Sequence, residues 1–318
     1  MARCCDVYTP RVASWRALIL AHAKVNAPWR RVLGNRAVYR EVQGVGLWMP
    51  WSHALPDYAS IKPDYGQNLV ELAVALDMAD ETPLQVIDVG ANIGDSTLQI
   101  LARTTSARVL AVEGDPHYLG YLRRNVGEDE SVTIAAMLIT TAADDEASWV
   151  ASRHAGTTHF RQVSSIGESA AQVGTSSLPV ADLPRSFPEF DNVRLIKSDT
   201  DGYDTSLVPE LAATYATTQP VLFFEYDPVL TEKVVGQPAE GVWPRLAALG
   251  YDRVGVWTHA GEPLGVHRCA DASSTIPTLL EGSGRRARYL DVAAVHRDDA
   301  AGNDALPTLF AVTADSNR

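Results

Sequence analysis

One short stretch combines residue types that could hold a nucleotide-like ligand. It runs from Val86 to Thr97 and reads VIDVGANIGDST, with Asp88 at the end of an apolar run and Gly90 and Gly94 behind it. A glycine-rich turn after a buried strand brings the backbone against a ligand. The dinucleotide fingerprint needs a glycine where this sequence has Asn92, because the backbone must touch a pyrophosphate there. The turn therefore predicts a ligand without a pyrophosphate.

The charge of this turn favours a cation. Asp88 enters the turn and Asp95 opens the helix behind it, where both would repel a diphosphate but attract a sulfonium and an amino group. Glu113 ends the next predicted strand, about twenty residues further on, where an acid binds ribose hydroxyls in such folds. The acidic turn and Glu113 together point to S-adenosylmethionine.

Further carboxylates follow two later strands. Asp199 and Asp201 come after NVRLIKS, and Glu225 ends PVLFFE. The carboxyl ends of neighbouring strands form the ligand-binding edge of an open α/β sheet. One of these carboxylates could accept a proton from a hydroxyl, or the cluster could hold Mg²⁺, and the sequence leaves both open. The alternative is that Asp199 and Asp201 only cap the next helix.

Histidine adds another candidate base, and the turn adds candidate cofactor contacts. His53, in the loop PWSHALPDY, has a side chain that titrates near neutral pH and could also take a proton. The residues expected to contact the cofactor are those of the turn, the acid of the second strand with its neighbour, and two residues that could close over the site: Asp88, Gly90, Asn92, Gly94, Asp95, Ser96, Glu113, Gly114, Tyr65 and Asn68.

The hydrophobic pattern indicates the elements that position these residues. Apolar runs of strand length alternate with amphipathic helices from Leu84 onwards, which predicts a doubly wound, mostly parallel sheet. A hairpin is predicted over Val38–Trp51 and a helix over Asn68–Met78. Past Trp243 we expect a helix and three strands, the last of them TLFAVT. The domain division is an N-terminal helix and hairpin extension over 1–65 and a cofactor-binding domain over 66–318.

Composition limits the classes of partner. The chain has 318 residues, a net charge of −12 and three cysteines. An acidic chain lacks the clustered Lys and Arg that nucleic acid binding needs, so we expect a small-molecule partner and no nucleic acid. Three cysteines make no disulfide framework, and the apolar run Ala17–Ala21 is too short to span a bilayer, which favours the cytoplasm and no membrane contact. A homo-oligomer is compatible with the sequence.

Several of these motifs together resemble one family. DVGANIGDST and VEGDP are similar to motifs I and II of the class I methyltransferases, and LIKSDTDGYDTSLVPEL with PVLFFEYDP resembles the FkbM family. The likeness runs from roughly Val42 to Asp227. It implies a Rossmann-like sheet of about seven strands with the last antiparallel, S-adenosylmethionine as donor, and O-methylation of sugar hydroxyls or natural products. Asp201 and Asp204 stand where the family has glutamates, so each acid is kept but its side chain is shorter by one methylene.

The sequence thus predicts an O-methyltransferase that acts on a hydroxyl of a small metabolite. Two alternatives stay open. The first is an NAD-dependent oxidoreductase on the same kind of sheet, which Asn92 and the acidic turn disfavour. The second is a non-catalytic protein that binds S-adenosylmethionine, against which the acids Asp199, Asp201 and Glu225 argue.

Overall fold

The computed structural model describes residues 34, 36–80, 82–144, 148–154, 157–163, 176–284 and 288–315. The predicted N-terminal helix around Ala17–Ala21 and the arginines at 285 and 286 lie outside this part of the chain. Within it, no helix has the length and apolar character that crossing a membrane requires.

The described chain alternates strands and helices over most of its length. The strands are β1 (Ala37–Val42), β2 (Val45–Pro50), β3 (Gln85–Val89), β4 (Arg108–Val112), β5 (Val132–Ala135), β6 (Met137–Thr140), β7 (Ser148–His154), β8 (Thr157–Val163), β9 (Ser176–Pro179), β10 (Val193–Ser198), β11 (Val221–Tyr226), β12 (Tyr251–Thr258), β13 (Pro263–Arg268) and β14 (Leu290–His296). The helices are α1 (Leu55–Ile61), α2 (Gln67–Ala79), α3 (Asp95–Arg103), α4 (Pro116–Val126), α5 (Leu183–Ser186), α6 (Asp204–Thr214), α7 (Pro228–Val235), α8 (Val242–Ala248), α9 (Ala272–Ser283) and α10 (Ala300–Asp315).

The main sheet has eight strands in the order β13-β12-β14-β11-β10-β3-β4-β5. Neighbours from β11 to β5 are parallel, whereas β14 is antiparallel to both β11 and β12. Helices cover both faces over two hydrophobic clusters. The predicted doubly wound fold with an antiparallel last strand is confirmed. The sheet gains an eighth strand, β13, which pairs with the edge of β12 and which the sequence pattern did not reveal.

The predicted last strand is wrong. TLFAVT lies inside α10 instead of forming a strand. Leu306 and Phe310 are one helical turn apart, and the Phe310 ring stacks on Trp257 with ring centroids 4.5 Å apart. A β-branched and aromatic composition favours a strand, but the apolar residues at positions i and i+4 bury one helical face against the sheet.

The predicted third strand is divided. VTIAAMLIT forms β5, which joins the main sheet, and β6, which pairs in parallel with β9. Ala136 separates the two segments. Because of this break, Met137–Thr140 leaves the plane of the main sheet and lies beyond the end of β4, where it forms a wall of the site described below.

The N-terminal hairpin packs on the main sheet's helices. Leu47 and Met49 of β2 are buried with Ile93 and Tyr118. The Asn125 side chain on α4 accepts from the Trp48 amide at 2.6 Å and donates to the carbonyls of Trp48 and Ile93 at 2.9 and 2.8 Å. The hairpin is therefore joined to the glycine-rich turn, and the division at residue 65 stays a prediction.

Candidate active site

Two adjoining cavities open where β3, β4, β10 and β11 end. The Glu113 cavity has a volume of about 740 Å³, part of it open to solvent, between the ends of β3 and β4 and residues 137–140. The Glu225 cavity has a volume of about 1010 Å³, also partly open to solvent, between the glycine-rich turn, the end of β11 and the segment around Tyr65. Gly90, Asn92 and Asp199 line both cavities, so these residues mark the junction.

The glycine-rich turn is built for close approach to β10. Gly90 has a φ of 76°, and a Cβ placed on it would lie 2.0 Å from the Asp199 carbonyl oxygen. Glycine is needed here for two reasons: any other residue would be strained at this positive φ, and its Cβ would clash with the Asp199 carbonyl oxygen. Lys197 Nζ donates to the Gly90 carbonyl at 2.9 Å and so ties the turn to β10 from below.

Asp88 is fully buried beneath the turn. Its carboxylate accepts from Ser96 Oγ at 2.6 Å and Thr97 Oγ1 at 2.8 Å, and it pairs with Lys197 Nζ at 2.9 Å. Burial alone would lower the pKa of Lys197, but the attraction of Asp88 and Asp199 raises it above the ordinary value. Asp88 is not among the described residues that line either cavity, so it acts here on the turn, and its direct contact with a ligand stays a prediction.

Glu113 is held in one orientation by the backbone. Its Oε2 accepts from the Asn92 amide at 2.8 Å and its Oε1 accepts from the Asp115 amide at 2.6 Å. Burial raises the pKa of Glu113 to about 7, and the two amide hydrogen bonds oppose that shift. A carboxylate whose two oxygens are oriented in this way presents its remaining lone pairs to the cavity, where vicinal hydroxyls could donate to them.

The walls of the Glu113 cavity suit a nucleoside. Gly114 leaves room beside β6, since a Cβ on it would lie 2.3 Å from Leu138 Cδ2. Met137, Leu138 and Ile139 supply an apolar wall, and Tyr118 an aromatic one. An apolar slot with one oriented carboxylate at its end fits the adenosine part of S-adenosylmethionine, and the junction leads from it towards the Glu225 cavity.

The β7–β8 hairpin lies beside this cavity and is bound to Asp115. Asp115 caps α4, with the His117 amide donating to Oδ1 at 2.8 Å. Arg153 from the hairpin also donates to both Asp115 oxygens, at 2.5 and 2.6 Å. Thr158 from the same hairpin donates to Asp115 and lines the cavity. The cap of a helix thus tethers the hairpin beside the site.

The predicted cluster of three acids is split between the cavities. Asp201 lines only the Glu113 cavity, Glu225 only the Glu225 cavity, and Asp199 both. Asp201 has a φ of 53°, and its pKa is raised to about 8 by burial and by Asp199. Asp204 orders this loop, because it accepts from Ser198 Oγ at 2.6 Å and from the Thr200 amide at 3.0 Å.

The separation of these acids between two cavities affects the prediction of a Mg²⁺ site. Among the described residues, no three histidine, cysteine, aspartate or glutamate side chains come together as ligands of one ion. The prediction that Asp199, Asp201 and Glu225 share a Mg²⁺ ion therefore lacks support. Asp199 remains accessible at the junction, with its side chain 49% exposed and 3.8 Å from Lys197 Nζ.

His53 lines the Glu225 cavity, but its ring is fully engaged. Nδ1 accepts from the Leu55 amide at 3.2 Å, so the ring proton of the neutral form lies on Nε2, which is 3.2 Å from Asn92 Oδ1. Burial lowers the pKa of His53 to about 4, so the ring is neutral at pH 7. With one nitrogen accepting and the other donating, the ring has no open lone pair for a substrate proton.

The other predicted cofactor contacts lie around the Glu225 cavity or behind it. Tyr65, Asp95 and Ser96 line the cavity, and burial raises the pKa of Asp95 to about 6. Gly94 precedes α3 in the left-handed conformation and is buried against α4. Asn68 is buried and donates to Asp291 Oδ2 at 3.0 Å, so it orients an acid and does not itself line a cavity.

Sequence reasoning missed several polar and charged residues of the site. Lys197, Tyr289 and Asp291 line the Glu225 cavity, and Tyr203 lines the Glu113 cavity. Lys197 could have been found, since it is a cation near the end of a mostly apolar strand, two residues before Asp199. Tyr289 and Asp291 carry no local signal, because their place depends on β14 lying next to β11.

The comparisons with known proteins identify a methyltransferase domain in this chain. The model of the FkbM methyltransferase domain matches residues 88–252, just over half of the chain. Among solved structures, a precorrin-6y C5,15-methyltransferase from Geobacter metallireducens is 12% identical, with 72% of this chain and 86% of that one covered and a TM-score of 0.37. TYW2 from P. horikoshii, in complex with MeSAdo, is 14% identical, with 86% and 82% covered and a TM-score of 0.41. No curated protein matches significantly.

The matched domain is a methyltransferase domain, and it spans the strands and turns that line both cavities between residues 88 and 252. The chain belongs to the FkbM methyltransferase family. The predicted family and fold are thereby confirmed.

Proposed function

We propose that this protein is an O-methyltransferase that methylates a hydroxyl of a small hydroxylated metabolite, a sugar moiety or a natural product. The observation that carries the proposal is the position of Asp199 at the junction of the two cavities. A methyl donor that extends from the Glu113 cavity across the junction, and an acceptor held in the Glu225 cavity, would meet at this carboxylate.

The cofactor's place is argued from the residues available. Glu113 would hold the ribose hydroxyls, and the apolar wall at Met137–Ile139 the adenine. Tyr65, Asp95 and Ser96, which lie on the other side of the junction, would hold the amino acid tail. When bound, S-adenosylmethionine supplies a methyl group activated by its sulfonium charge.

Asp199 is the proposed general base. Its side chain is accessible, and its backbone amide donates to the Val89 carbonyl at 3.1 Å, which holds it next to the glycine-rich turn. As the acceptor oxygen takes the methyl group and the bond between the methyl carbon and sulfur breaks to leave S-adenosylhomocysteine, the hydroxyl proton would pass to the Asp199 carboxylate. Positioning of the two reactants supplies the larger part of such catalysis, and the base adds roughly 10² to 10⁴-fold. His53 is not proposed as the base, because both ring nitrogens are engaged.

The test is a methyl-transfer assay with S-adenosylmethionine and a panel of sugars, cyclitols and hydroxylated polyketides. We expect formation of S-adenosylhomocysteine together with a product heavier by one methylene on oxygen, located by mass spectrometry and NMR. Asp199→Asn should lower kcat by about 10² to 10⁴-fold while the affinity for S-adenosylhomocysteine changes little.

Asp191→Asn is the matched control, because Asp191 is exposed and lines neither cavity. It should keep the parental rate. Repeating the assay after EDTA treatment and with Mg²⁺ restored tests the metal alternative. A parental rate in Asp199→Asn, or a methyl group found on nitrogen or carbon, would contradict the proposal.

A further inference from the structure

The Glu225 cavity contains a pair of acids that the proposed reaction does not use. Glu225 on β11 and Asp291 on β14 are direct cross-strand partners, and both line this cavity. Residues directly opposite on antiparallel strands have Cβ atoms about 4.5–5.5 Å apart and point to the same face. Two like charges in that relation destabilise a sheet unless something of opposite charge lies near them.

The protein itself supplies little of that opposite charge. Glu225 has no hydrogen-bond or ion-pair partner in the part of the chain that the structure describes, while Asp291 accepts one hydrogen bond, from the neutral amide of Asn68. Lys197 is the cation among the described lining residues, and it is already paired with Asp88 at 2.9 Å. The pair therefore faces the cavity without a neutralising side chain.

Both carboxyls respond to this environment. Burial raises the pKa of Asp291 to about 7, with a further increase from Asp199 and an opposing effect of Lys62. Burial also raises the pKa of Glu225 well above its usual range, and Asp199 adds to the shift. A bound cation would favour the ionised forms of both groups and would remove this unfavourable burial of charge.

Aromatic rings complete the lining. Tyr58, Tyr65 and Tyr289 border the same cavity, and a ring face attracts a cation within about 6 Å of its centroid. Carboxylates combined with tyrosine rings form a typical environment for an ammonium group. The net charge of the chain, −12, has the same sign as these carboxylates and attracts cations over longer distances.

We infer that the Glu225–Asp291 pair is a specificity site for an amine, and that the acceptor of this enzyme is a hydroxylated molecule that also carries a protonated amino group. The inference rests on the proposed function, since it places the acceptor in the Glu225 cavity. It adds the chemical class of the acceptor, an amino sugar or aminocyclitol as opposed to a neutral polyol. The ammonium donates to Glu225 and Asp291 while a nearby hydroxyl faces Asp199.

The test compares three probes of similar shape by calorimetric titration of the full chain with S-adenosylhomocysteine present. The probes are 2-deoxystreptamine, its di-N-acetyl derivative and scyllo-inositol. We expect the diamine to bind at least about tenfold more tightly than either neutral probe, because a charge-assisted hydrogen bond contributes more than a neutral one.

Isosteric variants then locate the charge. Glu225→Gln and Asp291→Asn should reduce the preference for the diamine to less than about threefold. The side-chain oxygen kept by Asp291→Asn can still accept from Asn68. Glu128→Gln removes the same charge from an exposed position that lines neither cavity and should keep the preference. Thermal melting of each variant shows that it is folded.

The outcomes separate this inference from the proposed function. Equal or tighter binding of the neutral probes, no binding of the diamine, or a preference that survives both variants would overturn the amine site. If the diamine binds as expected but is methylated on nitrogen when S-adenosylmethionine is added, the amine site stands and O-methylation fails. If it is methylated on oxygen, both stand.

Discussion

At the residue scale, the site depends on carboxyls that the fold orients and partly buries. Glu113 is the clearest case, because two backbone amides hold it and burial raises its pKa to about 7. Its type and position were predictable from the sequence, since an acid after the second strand is part of this fold's ligand-binding pattern. Its pKa was not, because the shift depends on the depth of the cavity.

Glu113 should make cofactor binding depend on pH. The ionised form accepts hydrogen bonds from ribose hydroxyls, and protonation as the pH falls through about 7 removes one acceptor position. The affinity for S-adenosylhomocysteine should therefore decrease from pH 8 to pH 6, as measured by calorimetry. Glu113→Gln should bind roughly 10 to 100-fold more weakly at pH 8 and lose this pH dependence, as expected for the loss of a charged hydrogen bond. Parental affinity in the variant would show that Glu113 does not hold the ribose.

At the element scale, the glycine-rich turn and β10 fit together without space for a side chain. Gly90→Ala should lower the free energy of unfolding by about 1–3 kcal/mol, because the added Cβ meets the Asp199 carbonyl and the φ of 76° strains alanine. Gly120→Ala on α4 is the control, since a Cβ there meets nothing within 4 Å. Because alanine favours helices, we expect Gly120→Ala to raise stability by up to about 1 kcal/mol. Urea denaturation of both variants measures the difference, and equal effects would contradict the close contact.

The tether of the β7–β8 hairpin belongs to the same scale. Arg153→Ala leaves the buried Asp115 with Thr158 and the His117 amide but without its bidentate partner. We expect a loss of about 1–3 kcal/mol in the free energy of unfolding and faster dissociation of S-adenosylhomocysteine, because Thr158 borders the Glu113 cavity. Arg153→Lys should show a smaller effect, since lysine keeps the charge but not the fork. Stopped-flow dissociation rates equal to the parent's would mean that the hairpin does not cover the cofactor.

The elements also show where sequence reasoning succeeds. The strand-helix alternation from β3 to β11 was predictable, because buried parallel strands are continuous apolar runs and amphipathic helices follow them. The errors lie at the edges. TLFAVT has the composition of a strand but packs as part of α10, and β13 is half-exposed and lacks a clear apolar alternation. The local sequence pattern does not determine which of these two segments, β13 or TLFAVT, pairs with β12 as a strand.

At the scale of the whole molecule, the acidic cavities should affect stability. Burial raises the pKa values of Glu113 and Asp291 to about 7 and of Asp201 to about 8. Between pH 6.5 and 8 the folded protein therefore holds more protons on these groups than the unfolded chain. The free energy of unfolding must then fall as the pH rises through this window. Buried histidines oppose this effect only below their ordinary pKa of 6.5.

Calorimetric melting of the ligand-free protein should thus show a Tm that decreases from pH 6.5 to pH 8. Asp201→Asn should weaken the decrease, because asparagine does not titrate. A Tm that is constant or rises between pH 6.5 and 8 would contradict the raised pKa values, because it would mean that water solvates these carboxyls.

The arrangement of the site could be predicted only in part, because it depends on contacts between distant parts of the chain. The acids at the ends of β3, β4, β10 and β11 follow from the parallel sheet, because all these strands end at one edge. Their separation into two cavities depends on β6 leaving the sheet and on β14 pairing beside β11. Those contacts join residues far apart in the chain, and for this reason Asp291 was missed and Asp201 was grouped with Glu225.

The measurement that tests the central claim most directly is a crystal structure of the protein with S-adenosylhomocysteine. We predict that the ribose hydroxyls contact Glu113, that adenine lies against residues 137–140, and that the sulfur atom lies at the junction beside Asp199, facing the Glu225 cavity. A nucleoside bound in the Glu225 cavity, or a sulfur atom remote from Asp199, would contradict this account of the site.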